Sequence, residues 1–226
     1  MKNKAAVVCH SGGMDSSICL AAAIREQGAD KVVSLSFAYQ QTHENEVRQA
    51  ARICADWGVE HVLVTCDFLR TLTSNALMDR TIPFRQEPGQ PPNTLVMGRN
   101  GLLARLGSIY AESRGARLLY MGVIGVEGQS GYRDCSRDYM DKMQEIMRID
   151  LGDDGFEIRT PVIHMTKKET LIQAHSFGIL PYLLENTITC YDGLFQKGCQ
   201  LCPACKLRNE GIAEFRADYP DLVLPY

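Results

Sequence analysis

Cys9-His10-Ser11-Gly12-Gly13-Met14-Asp15-Ser16-Ser17 lies between two apolar runs, Ala5-Ala6-Val7-Val8 before it and Ile18 to Ile24 after it. The first run predicts a strand over 5–9, the second a helix over 16–27, and the glycine pair a tight turn between them. Adjacent glycines reach torsions closed to other residues and clear the Cβ atoms from an approaching group. Backbone amides of the turn and of the first helical turn then converge on one spot, backed by the positive end of the helix dipole. Ser11, Ser16 and Ser17 add hydroxyl donors. Such a loop suits an anion, phosphate above all. The plainer reading is a Gly-Gly turn with Asp15 or Ser16 as helix cap.

The same alternation continues outward. Gly28 is placed to stop the first helix. Val32-Val33-Ser34-Leu35-Ser36-Phe37 reads as a second strand, rich in β-branched residues. Val47, Ala50, Ala51, Cys54 and Trp57 share one face of a helix over 44–57, and Gly58 closes it. A third strand follows over 62–66. Strands alternating with helices predict an α/β fold with a doubly wound, mainly parallel sheet. Ligands of such sheets sit beyond the carboxyl ends of the strands, where this loop already stands, as do Phe37 and Tyr39.

Further on, a helix is expected over 68–80, then a proline-rich loop over 83–93. Arg99 follows Gly98 and precedes a helix over 100–113, with Asn100 as its expected cap. An arginine at a helix start beside a phosphate loop is a candidate anion clamp. A strand over 118–124 runs into a loop containing Ser130, Gly131, Tyr132 and Asp134. The helix over 136–151 carries Met140, Met143 and Met147 on one side, read as core. Phe156 to Thr160 is a short strand stopped by Pro161. Thr166 with Glu169 forms a capping box. Lys167 and Lys168 fall in the first turn after it, against the helix dipole. They are read as solvated, or else as facing an anionic partner.

The chain has 226 residues, 45% apolar and 23% charged, enough for a sizeable core. A net charge of −3 asks for no nucleic-acid partner. No apolar run reaches the length of a membrane span, and Met1 to Lys4 leads straight into a strand rather than a signal peptide. A cytoplasmic protein is expected, and in that reducing setting nine cysteines are not a disulfide framework. Four of them, Cys190, Cys199, Cys202 and Cys205, crowd into the last fifth of the chain. Thiolates at this spacing suit one closed tetrahedral Zn²⁺ site of structural type; an iron–sulfur cluster is the alternative. The division expected is an α/β domain over 1–180 and a four-cysteine segment over 181–226 packed on it.

The loop is not of the Walker type, because it contains no lysine, and no G-x-G-x-x-G occurs at the first turn. Ser11-Gly12-Gly13-Met14-Asp15-Ser16 instead resembles the S-G-G-x-D-S signature of the N-type ATP pyrophosphatases. Within them, Pro92-Asn93-Thr94 with Gly98-Arg99-Asn100, Ser130-Gly131-Tyr132 with Asp134-Cys135, Thr189-Cys190-Tyr191-Asp192-Gly193 and the cysteine cluster resemble, in order, the 7-cyano-7-deazaguanine synthases of queuosine biosynthesis. His10 stands where that family usually has an aromatic such as Phe, and Arg133 where it has Pro.

The resemblance implies a ligase that converts 7-carboxy-7-deazaguanine and ammonia, with ATP, to the nitrile through adenylated carboxylate and amide. It implies an ATP site over residues 10–20 (His10, Ser11, Gly12, Gly13, Met14, Asp15, Ser16, Ser17, Ile18, Cys19 and Leu20), with Phe37 and Tyr39 lining the adenine pocket. It implies catalytic roles for Asp15, Arg99 and Lys167, with Mg²⁺ held at Asp15. It implies a substrate site at Arg99, Ser130, Gly131, Tyr132 and Asp134, and a homodimer. The competing readings are a tRNA-thiolating enzyme of the same superfamily and a non-catalytic ATP-binding module.

Overall fold

A computed structural model describes residues 3–39, 44–73, 75–76, 82–83, 85, 93–125 and 132–226. The elements run β1 (Ala6–Cys9), α1 (Met14–Gln27), β2 (Val32–Ala38), α2 (Glu44–Asp56), β3 (Glu60–Thr65), α3 (Leu69–Leu72), α4 (Arg99–Ser113), β4 (Leu118–Met121), α5 (Arg137–Leu151), β5 (Glu157–Arg159), α6 (Lys167–Ser176), α7 (Leu180–Asn186) and α8 (Pro203–Asp218). The five strands form one parallel sheet in the order β3-β2-β1-β4-β5. The chain builds outward from β1 to β3, then returns to β1's other side with β4. The crevice between the ends of β1 and β4 is thus the switch point where doubly wound sheets bind ligands.

Alternate residues of each strand feed two cores. Ala6, Val8, Val32 and Tyr120 face α1, α6, α7 and α8, packing with Ile18, Leu20, Leu171, Leu183 and Phe215. Val7, Val33, Leu35, Leu119 and Ile158 face α4 and α5, packing with Ala104, Ala111 and two of the expected methionines, Met140 and Met147. A Cβ on Gly107 would stand 2.8 Å from Leu119 and 3.0 Å from Cys9, so glycine lets α4 lie this close to the sheet. The edge strand β5 is masked by side chains of α5. Gln144 accepts from the Ile158 amide at 2.7 Å, and Arg137 donates to the Ile158 carbonyl at 3.0 Å. Residue 180 opens α7, and Leu180, Leu183 and Leu184 belong to the same core as α8's Ile212 and Phe215.

Several boundaries differ from the sequence reading: β3 runs Glu60–Thr65 rather than 62–66, β4 stops at Met121 rather than 124, and three helix starts or ends shift. Helix α1 begins at Met14, which puts Asp15 and Ser16 inside its first turn rather than at its cap. Helix α4 begins at Arg99 behind a left-handed Gly98, so Asn100 is a helical residue and not the cap. The helix expected over 68–80 is the single turn α3, after which Thr73 is extended. Leu69 is buried, while Leu72 at the end of the turn is 74% exposed, so no core packing continues the helix. The Thr71 hydroxyl bonds back to the Phe68 carbonyl, a local bond that favours a turn.

Candidate active site

The loop after β1 is shaped by its neighbours. Gly12 has a φ of +83°, and a Cβ there would lie 2.4 Å from the Glu46 carbonyl oxygen and 2.9 Å from the Ala50 nitrogen, so α2 rests directly on it. From the other side the Ile188 amide donates to the Gly12 carbonyl at 3.1 Å. Gly122, just past β4, approaches Ser16 so closely that a Cβ would fall 2.7 Å from its Cα. The cap residue of α1 is Gly13, which has no side chain to satisfy the first amides. Helices α5, α6 and α8 are capped by Ser136, Thr166 and Cys202. Helix α1 instead presents its opening N–H groups to whatever anion enters. The Ser16 and Ser17 hydroxyls turn inward to the Gly13 carbonyl, at 3.0 and 2.8 Å, while Ser11 is exposed.

Lys167 is not solvated. It is 5% exposed, and its Nζ donates to both oxygens of Asp15, at 2.6 and 2.5 Å. The cause is tertiary: α8 crosses here, and a Cβ on Gly211 would lie 2.6 Å from the Lys167 Cβ. The energy offsetting an unfavourable place on the α6 dipole is the Asp15 carboxylate, 152 residues away in sequence. Lys168 stays outside and pairs with Asp218.

Arg99 opens α4 beside this pair of helix ends. Its guanidinium donates to the Tyr39 hydroxyl at 3.4 Å and lies 5.9 Å from that ring's centre. Burial works against its charge, yet Tyr39, Tyr191, Tyr132 and the Asp134 carboxylate around it hold its pKa above the ordinary arginine value. Asp134 supplies the cap that α4 lacks, its Oδ2 accepting the Asn100 amide at 3.1 Å. Asp134 Oδ1 is buried with no hydrogen-bond partner among the described residues, and so are Gln49 Nε2 and Thr189 Oγ1. Gln49 and Thr189 adjoin Ala50 and Ile188, the two residues packed on the glycine loop. Buried polar atoms without partners mark places where a ligand completes the bonding.

The four tail cysteines converge. Their sulfurs all lie within 4.8 Å of one another, and Cys190, Cys202 and Cys205 are fully buried. Backbone amides of Asp192, Cys199, Cys202 and Cys205 donate to three of the sulfurs at 3.3 to 3.4 Å. Gly198, at φ +61°, leaves the room, since a Cβ there would stand 2.4 Å from Cys205 Sγ. Four sulfurs placed in this way could hold a metal ion.

Residues 5–216 match the family model described as "Queuosine biosynthesis protein QueC". The chain belongs to the QueC family. Two solved structures share its outline. The NMN synthetase from Francisella tularensis is 12% identical, with 99% of this chain and 90% of that one covered at a TM-score of 0.47. The U34-tRNA thiolase NcsA from Methanococcus maripaludis, solved with its [4Fe-4S] cluster, is 14% identical, with 97% and 67% covered at a TM-score of 0.46. Likeness this distant says nothing of what this chain acts on. Family membership makes it an ATP-using enzyme of queuosine biosynthesis.

Within that QueC frame the sequence-derived site residues sort clearly. Ser11, Gly12, Gly13 and Asp15 lie on the loop and the first turn of α1, with Lys167 bonded to Asp15, while Arg99, Tyr39, Tyr132 and Asp134 form a second group. Ser130 and Gly131 lie outside the described residues. Met14, Ser17, Ile18, Cys19 and Leu20 are at most 1% exposed, so their side chains lie in the core. Phe37 packs into the core under α4 and α5 rather than lining an open pocket. His10 also turns inward: Nδ1 lies 3.0 Å from the Ser34 hydroxyl and Nε2 3.0 Å from that of Ser17.

Burial, with the nearby His61 ring, lowers the His10 pKa from 6.5 to about 3. The folded protein therefore holds this ring neutral where the unfolded chain would protonate it. That stability is complete above the unfolded value and is lost as pH falls toward 3. Wild type is expected to lose roughly 3 kcal/mol more than His10→Phe between pH 7 and pH 4. Urea unfolding followed by the single tryptophan, Trp57, reads this out; parallel pH profiles for the two proteins would refute it.

Three residues at the site carried no assigned role in the sequence reading. Thr94 bonds the Tyr132 hydroxyl at 2.6 Å, and Tyr191 reaches Tyr132 from the cysteine knuckle. Burial pushes the Glu46 carboxyl up to about 8, against the pull of Arg99. Glu46 had a legible signal: it sits one turn ahead of Ala50 on the buried stripe of α2, a carboxylate where a core residue is expected.

Proposed function

We propose that this chain converts 7-carboxy-7-deazaguanine, ammonia and two ATP-driven activations into 7-cyano-7-deazaguanine. The observation that carries the reading is Glu46 standing between two binding features: its carbonyl oxygen rests on Gly12 beside the uncapped start of α1, and its carboxyl feels the charge of Arg99, which is ringed by Tyr39, Tyr132, Tyr191 and Asp134. A carboxylate binds at Arg99 and a triphosphate at the start of α1, which brings the carboxylate oxygen to the α-phosphorus. The open amides of α1 and the Lys167 ammonium stabilise the charge that gathers on departing pyrophosphate. Arg99 neutralises the carboxylate so that two anions can meet. Asp134 Oδ1 accepts an N–H of the guanine-like edge, completing its bonding.

In chemical terms, adenylyl transfer to the carboxylate oxygen releases pyrophosphate, and ammonia displaces AMP to give the amide. A second transfer, to the amide oxygen, releases pyrophosphate again. The O-adenylated amide gives up one N–H proton as the imidate forms, and loss of AMP with the second N–H proton leaves the nitrile. Glu46, protonated at neutral pH and standing near Arg99, is a group that can exchange protons at this stage. Mg²⁺ bound with ATP would be held by Asp15, in the first turn of α1 and bonded to Lys167, and would supply charge neutralisation.

The metal at the knuckle is zinc in this reading. Four thiolates around one tetrahedral Zn²⁺ lie about 3.8 Å apart, as follows from the usual bond length. The sulfurs here, all within 4.8 Å, suit a single ion. An iron–sulfur cube spreads its thiolates wider. Arg208, 2% exposed, has its guanidinium 3.3 Å from where a Gly198 Cβ would be, and offsets the excess negative charge of four thiolates.

The test is direct. Purified protein with ATP, ammonium and 7-carboxy-7-deazaguanine is expected to give a product of the nitrile's mass, with the amide as a transient. No product, or a brown protein that instead transfers sulfur to tRNA, would overturn the assignment.

A further inference from the structure

The knuckle lies on the substrate side of the molecule, and a staple for α8 alone has no need of that position. The segment leading into it is tied to the anion loop by the Ile188 amide and the Gly12 carbonyl, at 3.1 Å. The Ile188 carbonyl oxygen in turn faces Gly13, 3.3 Å from where a Cβ would stand. Two residues on comes Cys190, and the next side chain, Tyr191, packs against the cysteine cluster and lies close enough to Arg99 to feel its charge. Its hydroxyl is hydrogen-bonded to Tyr132, which is bonded in turn to Thr94, a residue 2% exposed. One chain of hydroxyls thus joins three separate segments: the turn before α4, the loop before α5 and the knuckle.

We propose that Tyr191 is a positioning residue of the substrate site, and that the metal knuckle serves as that site's third wall by holding the Tyr191 hydroxyl against Tyr132. The argument is one of rigidity. Tyr132 stands on the loop before α5 and has a long, swinging side chain. Bonded only to Thr94, its ring can turn about that contact; bonded from two sides, it is fixed. A fixed Tyr132 keeps Arg99 aimed at the carboxylate and leaves Asp134 Oδ1 facing the ring. Preorganisation of this kind acts on substrate affinity without adding a contact of its own. The metal contributes by fixing the backbone that carries Tyr191.

The inference rests on the reading of the substrate given above, and the experiment separates the two. Binding of 7-carboxy-7-deazaguanine to the metal-loaded full chain, without ATP, is measured by equilibrium dialysis. Tyr191→Phe keeps the ring and loses the hydroxyl. Substrate Kd is expected to rise about tenfold, with metal content, melting temperature and ATP affinity unchanged. Tyr132→Phe is expected to show a similar loss. The double variant should lose far less than the product of the two, because both break the same bond. A Tyr191→Phe protein that binds substrate as wild type does, or a double variant whose losses multiply fully, overturns the inference alone. So does a change in metal content or melting temperature without a change in Kd, since that is the mark of a structural tyrosine. A wild-type protein that binds no 7-carboxy-7-deazaguanine overturns the substrate reading and this inference with it.

Discussion

Asp15→Ala is expected to destabilise the protein by about 3–5 kcal/mol, and Lys167→Met by only about 1 kcal/mol, although the two side chains are bonded to each other. The asymmetry comes from where each charge sits. The Lys167 side chain is 6% exposed, lies under α8 and stands at the first position of α6, where the dipole repels it. Removing Asp15 takes away both of its carboxylate contacts and leaves that charge in place. The Asp15 side chain is 24% exposed and lies in the first turn of α1, where the dipole favours it. It tolerates the loss of its lysine. The double variant should therefore be more stable than Asp15→Ala alone. Turnover should fall at least about a hundredfold in both single variants, since loop and ammonium both face the departing phosphate. Urea unfolding at pH 7 measures the stabilities. Equal losses for the two single variants would sink the argument.

That pair also shows what a sequence can and cannot disclose. The sheet was legible because its first four strands are short runs dominated by apolar or β-branched residues, with helix-period runs between them, and these signals are local. The anion loop, the capping box at Thr166 and the cysteine cluster were legible for the same reason, each being a short pattern with its own physics. The partner of Lys167 was not, because the dipole argument asks for an anion without saying which. Asp15 becomes that anion only when α6 is laid against α1 and α8 covers both. His10 shows the same limit. From its place in the motif it belongs to the nucleotide site, yet the alternation of β1 into the loop turns its ring back between Ser34 and Ser17. The resemblance puts residues 16–20 at the nucleotide along with the loop before them. A helix carries most of them away within one turn, and their burial makes them core. Tyr191 follows a metal ligand, which gave it no visible task until the knuckle was placed beside Tyr132.

Cys202→Ser isolates the contribution of the metal better than any other ligand change. Cys202 has two tasks. It is one of four converging sulfurs, and it caps α8, its sulfur accepting the Cys205 amide. Serine keeps the second task, being itself a favoured cap, and fails at the first, since a neutral hydroxyl does not replace a thiolate on zinc. The helix start is therefore preserved while the metal is lost. Without it, Cys190, Cys199 and Cys205 remain packed together with Arg208 and no ion among them, and the segment from 190 to 202 loses its anchor. Folding and metal binding are linked, so the lost binding energy appears as lost stability, expected at about 3–4 kcal/mol or a fall of about 10 °C in melting temperature. The loss should reach the nucleotide as well, because the Ile188 amide that steadies Gly12 lies two residues before Cys190. ATP should bind several-fold more weakly to Cys202→Ser and to chelator-treated wild type alike. Metal analysis, thermal unfolding and ATP titration together check this. A metal-free protein with the melting temperature and ATP affinity of the loaded one would show that the knuckle supports neither α8 nor the loop.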